Sequence, residues 1–151
     1  MGVTDAQWMQ KAILLAREAQ EQGEVPVGAV VVRDGVLIGE GFNRPIALSD
    51  AGAHAEMIAI RQAGTNLKNY RLSGTTLYVT LEPCPMCAGA MVHARIQRVV
   101  YGTPDPRSGA AGSVMDILRN DALNHRCEVT PGVRQSECAE LLRDFFRSRR
   151  T

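Results

Sequence analysis

At 151 residues, with 45% hydrophobic and 22% charged side chains, the chain has the make-up of a soluble globular protein rather than a fibrous or disordered one. One domain over 1–151 is expected, and no apolar run approaches the roughly 20 residues that span a bilayer. The net charge of +1 excludes a strongly basic or acidic protein, and the basic-then-apolar start of a signal peptide is missing, so the expected location is cytoplasmic.

The first helix is expected to start at Thr4, where Thr4 and Gln7 suit a capping box. Trp8, Ala12, Leu15, Ala16 and Ala19 give it an apolar face, and Gly23 ends it. Val27 to Arg33 and Val36 to Gly41 read as strands joined by Asp34-Gly35, a strong hairpin signal. A polar loop from Asn43 to Ala53 leads to a helix over about His54 to Gln62, stopped by Gly64. Thr75 to Leu81 reads as a buried strand, and Pro85 opens a helix running to about Ala94. A strand over Ile96 to Tyr101, a short helix near Val114 to Arg119 and a strand near Cys127 to Thr130 follow. The chain closes with an amphipathic helix. A hairpin followed by helix–strand alternation predicts an α/β protein, a three-layer α/β/α sandwich whose mixed five-stranded sheet turns parallel in its later part.

Two short motifs carry chemistry. His54-Ala55-Glu56 opens one helix, and Pro83-Cys84-Pro85-Met86-Cys87 opens another about thirty residues on. Three-residue spacing puts Cys84 and Cys87 on one side of a first helical turn, where free N–H groups and the helix dipole favour thiolates. With His54 they make three ligands and leave a tetrahedral corner for water, the arrangement of a catalytic rather than a structural zinc site. Two thiolates cancel the charge of Zn²⁺, so the ion acidifies its water less than an all-histidine site would, and Glu56 has value as a proton carrier. A redox use of Cys84 and Cys87 leaves His54 and Glu56 without a task. Cys127 and Cys138 read as small buried hydrophobes, His93 as a packed residue, His125 as a loop residue, and Met57, Met86 and Met91 as core.

H-x-E followed by P-C-x-x-C is the signature of zinc nucleobase deaminases, in which the glutamate is not a ligand. The chain further resembles the bacterial tRNA-specific adenosine deaminases of the cytidine/deoxycytidylate deaminase superfamily. The likeness runs through Glu24 to Val30, Gly39 to Pro45, Ala53 to Glu56, Asn69 to Leu72, Leu77 to Cys84, Cys87 to Met91, Gly109 to Ser113, Asn124 to Arg126 and Asp144 to Arg147, with Pro85 a departure. It implies adenosine-to-inosine conversion at the wobble position of a tRNA anticodon stem-loop. It also implies a cytidine-deaminase-like fold, one zinc per subunit on His54, Cys84 and Cys87, Glu56 as proton shuttle, and a homodimer. By the same resemblance Asn43 bonds the purine, Pro26 and Val27 wall the pocket, and the Ala55 N–H holds the water-derived oxygen with those around Cys84. Asp105 contacts the nucleotide sugar, and Phe145, Phe146, Arg149 and Arg150 face RNA. Two readings stay open beside these: Asp105 as a turn cap in Pro104-Asp105-Pro106, and the C-terminal segment as a packed helix with solvated arginines. A deaminase of a free base or nucleoside (guanine, cytosine or cytidine) is the alternative activity, since it needs the same zinc site.

Overall fold

The computed structural model describes residues 2–149. Helix α1 (Asp5–Glu21) opens on the expected capping box. The Gln7 N–H donates to Thr4 Oγ1 (3.2 Å) and the Thr4 N–H to Gln7 Oε1 (2.8 Å). It buries Met9, Ala12, Ile13, Leu15, Ala16 and Ala19, while Trp8 is half-buried and tilts against Tyr78 at 6.4 Å between rings.

Strands β1 (Gly28–Arg33) and β2 (Val36–Phe42) form the hairpin. Its turn residues Asp34 and Gly35 have φ of 52° and 75°, the two positive values that match the strand twist. Strand β3 (Thr75–Leu81) pairs with β1 antiparallel and with β4 (Arg98–Thr103) in parallel, and β5 (Glu128–Thr130) adds a short parallel edge. The sheet order is β2-β1-β3-β4-β5. The expected mixed five-stranded sheet is the one that forms.

Side chains alternate across it. Val30, Val32, Tyr78 and Val100 meet Met9, Ala12 and Ile13 of α1 and Cys138 of α5 (Gln135–Ser148). On the other face Ala29, Val31, Leu77, Val79, Val99 and Tyr101 join Ala55, Ala59 and Ala63 of α3 (Ala55–Leu67) and Cys87, Ala88 and Met91 of α4 (Pro85–His93). The layers are therefore α/β/α. Both helix layers need glycine beneath them. A Cβ on Gly28 would lie 2.6 Å from the Ala16 nitrogen, and one on Gly41 would lie 2.8 Å from the Ala55 carbonyl oxygen, which sets the height of α3 above the sheet.

Several boundaries differ from expectation. Helix α3 passes through Gly64 and ends at Lys68, in the left-handed region at φ 55°. One glycine costs a helix only ~1 kcal/mol, less than packing against β2 returns. The expected loop after Asn43 holds a short helix, α2 (Pro45–Leu48). Val114 to Arg119 is not helical: Ala111 bridges Asp116, and the Arg119 guanidinium bonds Asp116 (2.9 Å) and the Ala111 carbonyl (3.0 Å). Strand β4 starts two residues later than expected, and β5 starts after Cys127. His93 and Met86 are exposed rather than packed, whereas Met91, Cys127 and Cys138 are buried as expected. Among the described residues no helix is long and apolar enough to cross a membrane.

Candidate metal centre and active site

Two helix starts build the site. His54 is the N-cap of α3 and Cys84 the N-cap of α4, each extended, and neither side chain caps its own helix. Both turn to a common point instead. His54 Nδ1 lies 3.6 Å from Cys84 Sγ and 3.4 Å from Cys87 Sγ, and all three ligand atoms fall within 4.8 Å of one another. A tetrahedral ion bonded at ~2.3 Å to sulfur and ~2.0–2.1 Å to nitrogen separates those atoms by about 3.6 Å, so the spacing fits zinc without rearrangement. Among the described residues this is the one such group of three.

The three donor groups perturb one another's protonation. A hydrogen bond from Cys87 holds the Cys84 thiol down at about 4, with His54 adding to the effect, and the Cys87 thiol is pushed up in return. The bond to Cys84 raises the imidazole. Two sulfurs and an imidazole nitrogen are the donor types zinc takes. Glu56, the second residue of α3, is 4% exposed, and burial pushes its carboxyl up to about 7 against the pull of His54.

The cap that His54 does not supply comes from Asn43. Its Oδ1 accepts the Ala55 N–H at 2.8 Å, which fixes the amide and leaves Nδ2 as the free donor. The Asn43 N–H donates to the Val27 carbonyl (3.1 Å), so Asn43, Ala55 and the buried Pro26-Val27 segment form one cluster at the end of β2. The Ala55 N–H, expected to hold an oxygen, is engaged with Asn43.

Asp105 lies elsewhere, in the turn after β4. Its Oδ1 accepts the N–H groups of Arg107 (2.9 Å) and Ser108 (3.3 Å), and its Oδ2 accepts the Ser108 hydroxyl (3.0 Å). The turn-capping reading of this residue is therefore realised. The same turn walls a groove of about 860 Å³ that opens between Val25 and Leu81 on one side and Leu142, Arg143, Phe146, Arg147 and Arg149 of the C-terminal segment on the other. Phe146 is 46% exposed there, but Phe145 is buried beneath it with the Arg149 guanidinium 4.4 Å from its ring centroid. Arg149 also donates to the Gly23 carbonyl (2.8 Å). Arg150 lies outside the described residues.

Two acids that the sequence reading left without a role are buried here. Glu24 accepts the Ile46 (3.1 Å) and Ala47 (2.8 Å) N–H groups, holding α2 beside Asn43. Glu82 accepts four donors from the segment between Asp105 and Ser113. The available signal was an acid inside an apolar stretch just before a proline, in Glu24-Val25-Pro26 and Leu81-Glu82-Pro83.

Comparison with known proteins agrees with this geometry. The sequence profile of the cytidine and deoxycytidylate deaminase zinc-binding region matches residues 3–103. The tRNA-specific adenosine deaminase of Haemophilus influenzae is 50% identical over 147 residues, 97% of this chain and 85% of that protein. That of Bacillus subtilis is 47% identical over 97% of this chain and 91% of its own length. A structure solved in a study of A-to-I editing by tRNA deaminases at the wobble position superposes with a TM-score of 0.87 at 46% identity, covering 89% of this chain and 98% of that one. The chain belongs to the zinc-dependent cytidine/deoxycytidylate deaminase family.

Proposed function

We propose that this protein converts adenosine to inosine at the wobble position of a tRNA anticodon, releasing ammonia. The observation that carries the reading is the convergence of His54, Cys84 and Cys87 with the buried Glu56 at two helix starts. Relatives named for this activity, 47–50% identical over nearly the whole chain, support the choice of substrate.

When bound, zinc supplies a Lewis acid that makes water a nucleophile near neutral pH. The chain's own residues do the rest. His54 and the two thiolates hold the ion. Glu56 takes a proton from the attacking water as its oxygen bonds to C6 of the purine, and passes that proton to a ring nitrogen. Glu56 then carries the second proton from that oxygen to the amine, which leaves as ammonia when the C6–N bond breaks. Asn43, steadied by the Ala55 N–H, directs Nδ2 to a purine nitrogen, and Pro26 and Val27 wall the base. The N–H groups around Cys84 remain as donors for the oxygen once Ala55 is engaged.

The groove between the Asp105 turn and α5 is the place for neighbouring nucleotides, with Phe146 as a stacking face and the arginines meeting phosphate. Phe145 supports Phe146 from below, in edge contact at 5.3 Å. A cytoplasmic homodimer of single-domain subunits is part of the same reading and rests on the family resemblance.

The test is to incubate zinc-loaded protein with total tRNA and sequence the products, since inosine reads as guanosine. Conversion confined to the first anticodon position is expected. Ammonia from free guanine, cytosine or cytidine with unchanged tRNA would overturn the proposal.

A further inference from the structure

Glu82 has no part in that mechanism, yet it is 1% exposed and sits two residues before the ligand Cys84. Its charge is met by hydrogen-bond donors of one loop. Oε1 accepts the Asp105 N–H (2.9 Å) and the Ser113 hydroxyl, and Oε2 accepts the N–H groups of Ala111 (2.9 Å) and Ser113 (3.1 Å). Beside it the Ala110 N–H donates to the Pro83 carbonyl at 2.8 Å. Gly109 passes so close that any Cβ there would run into the Glu82 carboxylate. The carboxyl group is therefore clamped by both ends of the 105–113 loop.

We infer that Glu82 is a positioning residue that sets the Asp105–Ser108 turn, one wall of the substrate groove, at a fixed place relative to the metal ligand Cys84. The inference rests on the function proposed above. A groove wall belonging to a long surface loop is otherwise free to drift. Here the strand end that delivers Cys84 also carries the clamp, so the metal centre and the wall share one rigid mount.

The two oxygens make the inference testable by a near-isosteric change. In Glu82→Gln the remaining oxygen keeps the two N–H donors of Ala111 and Ser113 when it faces them. The new amide nitrogen then meets the Ser113 hydroxyl, which can turn and accept, and the Asp105 N–H, which cannot. The substitution thus releases one contact, at the Asp105 end.

The experiment compares zinc-replete wild type, Glu82→Gln, Asp105→Ala, the double variant and Gly109→Ala. It measures zinc content, kcat and KM on an anticodon stem-loop RNA, and amide exchange at Asp105, Ala111 and Ser113. Glu82→Gln is expected to keep its zinc, raise KM about tenfold and leave kcat within about twofold, while exchange protection is lost at Asp105 alone. The double variant is expected to be no worse than the poorer single one, because both act on the same turn. Gly109→Ala approaches the clamp from the loop side and should reproduce the KM effect even where Glu82→Gln folds poorly. An unchanged KM in both variants, multiplying effects in the double variant, or unchanged exchange at Asp105 would overturn the inference. Wild-type protein that leaves the RNA unedited would instead defeat the proposed function, and the exchange pattern would still decide the clamp.

Discussion

On the proposed function Asn43 carries two separable tasks, the observed cap on Ala55 and a bond to the purine, and two substitutions divide them. In Asn43→Ala the Ala55 N–H, whose residue is fully buried, loses its 2.8 Å partner. An unpaired buried donor costs about 1–3 kcal/mol, and a chain of this length loses roughly 2–4 °C of Tm per kcal/mol, so a fall of about 2–12 °C is expected. Asn43→Asp keeps an oxygen at that distance and adds negative charge at the start of α3, where the helix dipole favours it by roughly 0.3–1 kcal/mol. Its melting point should stay near wild type. Both variants lose the Nδ2 donor, and Asp sets an oxygen against the purine nitrogen lone pair. A lost bond of about 1 kcal/mol lowers kcat/KM about fivefold in Asn43→Ala, and a further mismatch of about 1–3 kcal/mol brings the loss in Asn43→Asp to about 30–10³-fold. Calorimetry and single-turnover deamination of an anticodon stem-loop RNA read the two effects separately. Full activity in Asn43→Asp, or an unchanged Tm in Asn43→Ala, would refute the division of labour.

Glu56→Ala should retain one zinc per chain by atomic absorption while turnover falls by about 10²–10⁴-fold; loss of the metal would make Glu56 a ligand. Asp5 gives a prediction for acid. Burial raises its carboxyl, but hydrogen bonds from Arg98 and Tyr78 and the charge of Arg98 pull it below the usual range. Its contribution is therefore present above the unfolded carboxyl pKa and is lost as pH falls through the lower folded value. The side chain is 36% exposed, so solvent screening limits the gain to about 1 kcal/mol. Denaturant midpoints of wild type and Asp5→Asn should differ steadily from pH 7 to about 5 and converge below about 4; a constant gap down to about pH 2 would refute this.

What the sequence shows directly is what is local in it. The Thr4/Gln7 box, the Asp34-Gly35 turn and the two ligand motifs each sit within a few residues, so spacing alone displays them. The sheet followed from alternating strands and helices. Glu24 and Glu82 were opaque because their partners are backbone N–H groups more than twenty positions away, and backbone has no letter of its own. Val114 to Arg119 has helical residue types, but the clamp on Ala111 and Ser113 and the Arg119 bridge hold it open. Phe145 and Phe146 are identical in sequence and opposite in exposure, a difference set by what packs on α5.

The element order also separates the two halves of the site along the chain. Cys84 reaches His54 because β3 docks against β1, and β5 and α5 follow every ligand in the chain. The metal centre and the groove wall formed by Leu142, Phe146 and Arg147 therefore come from separate stretches of the chain, the first complete about fifty residues before the second begins.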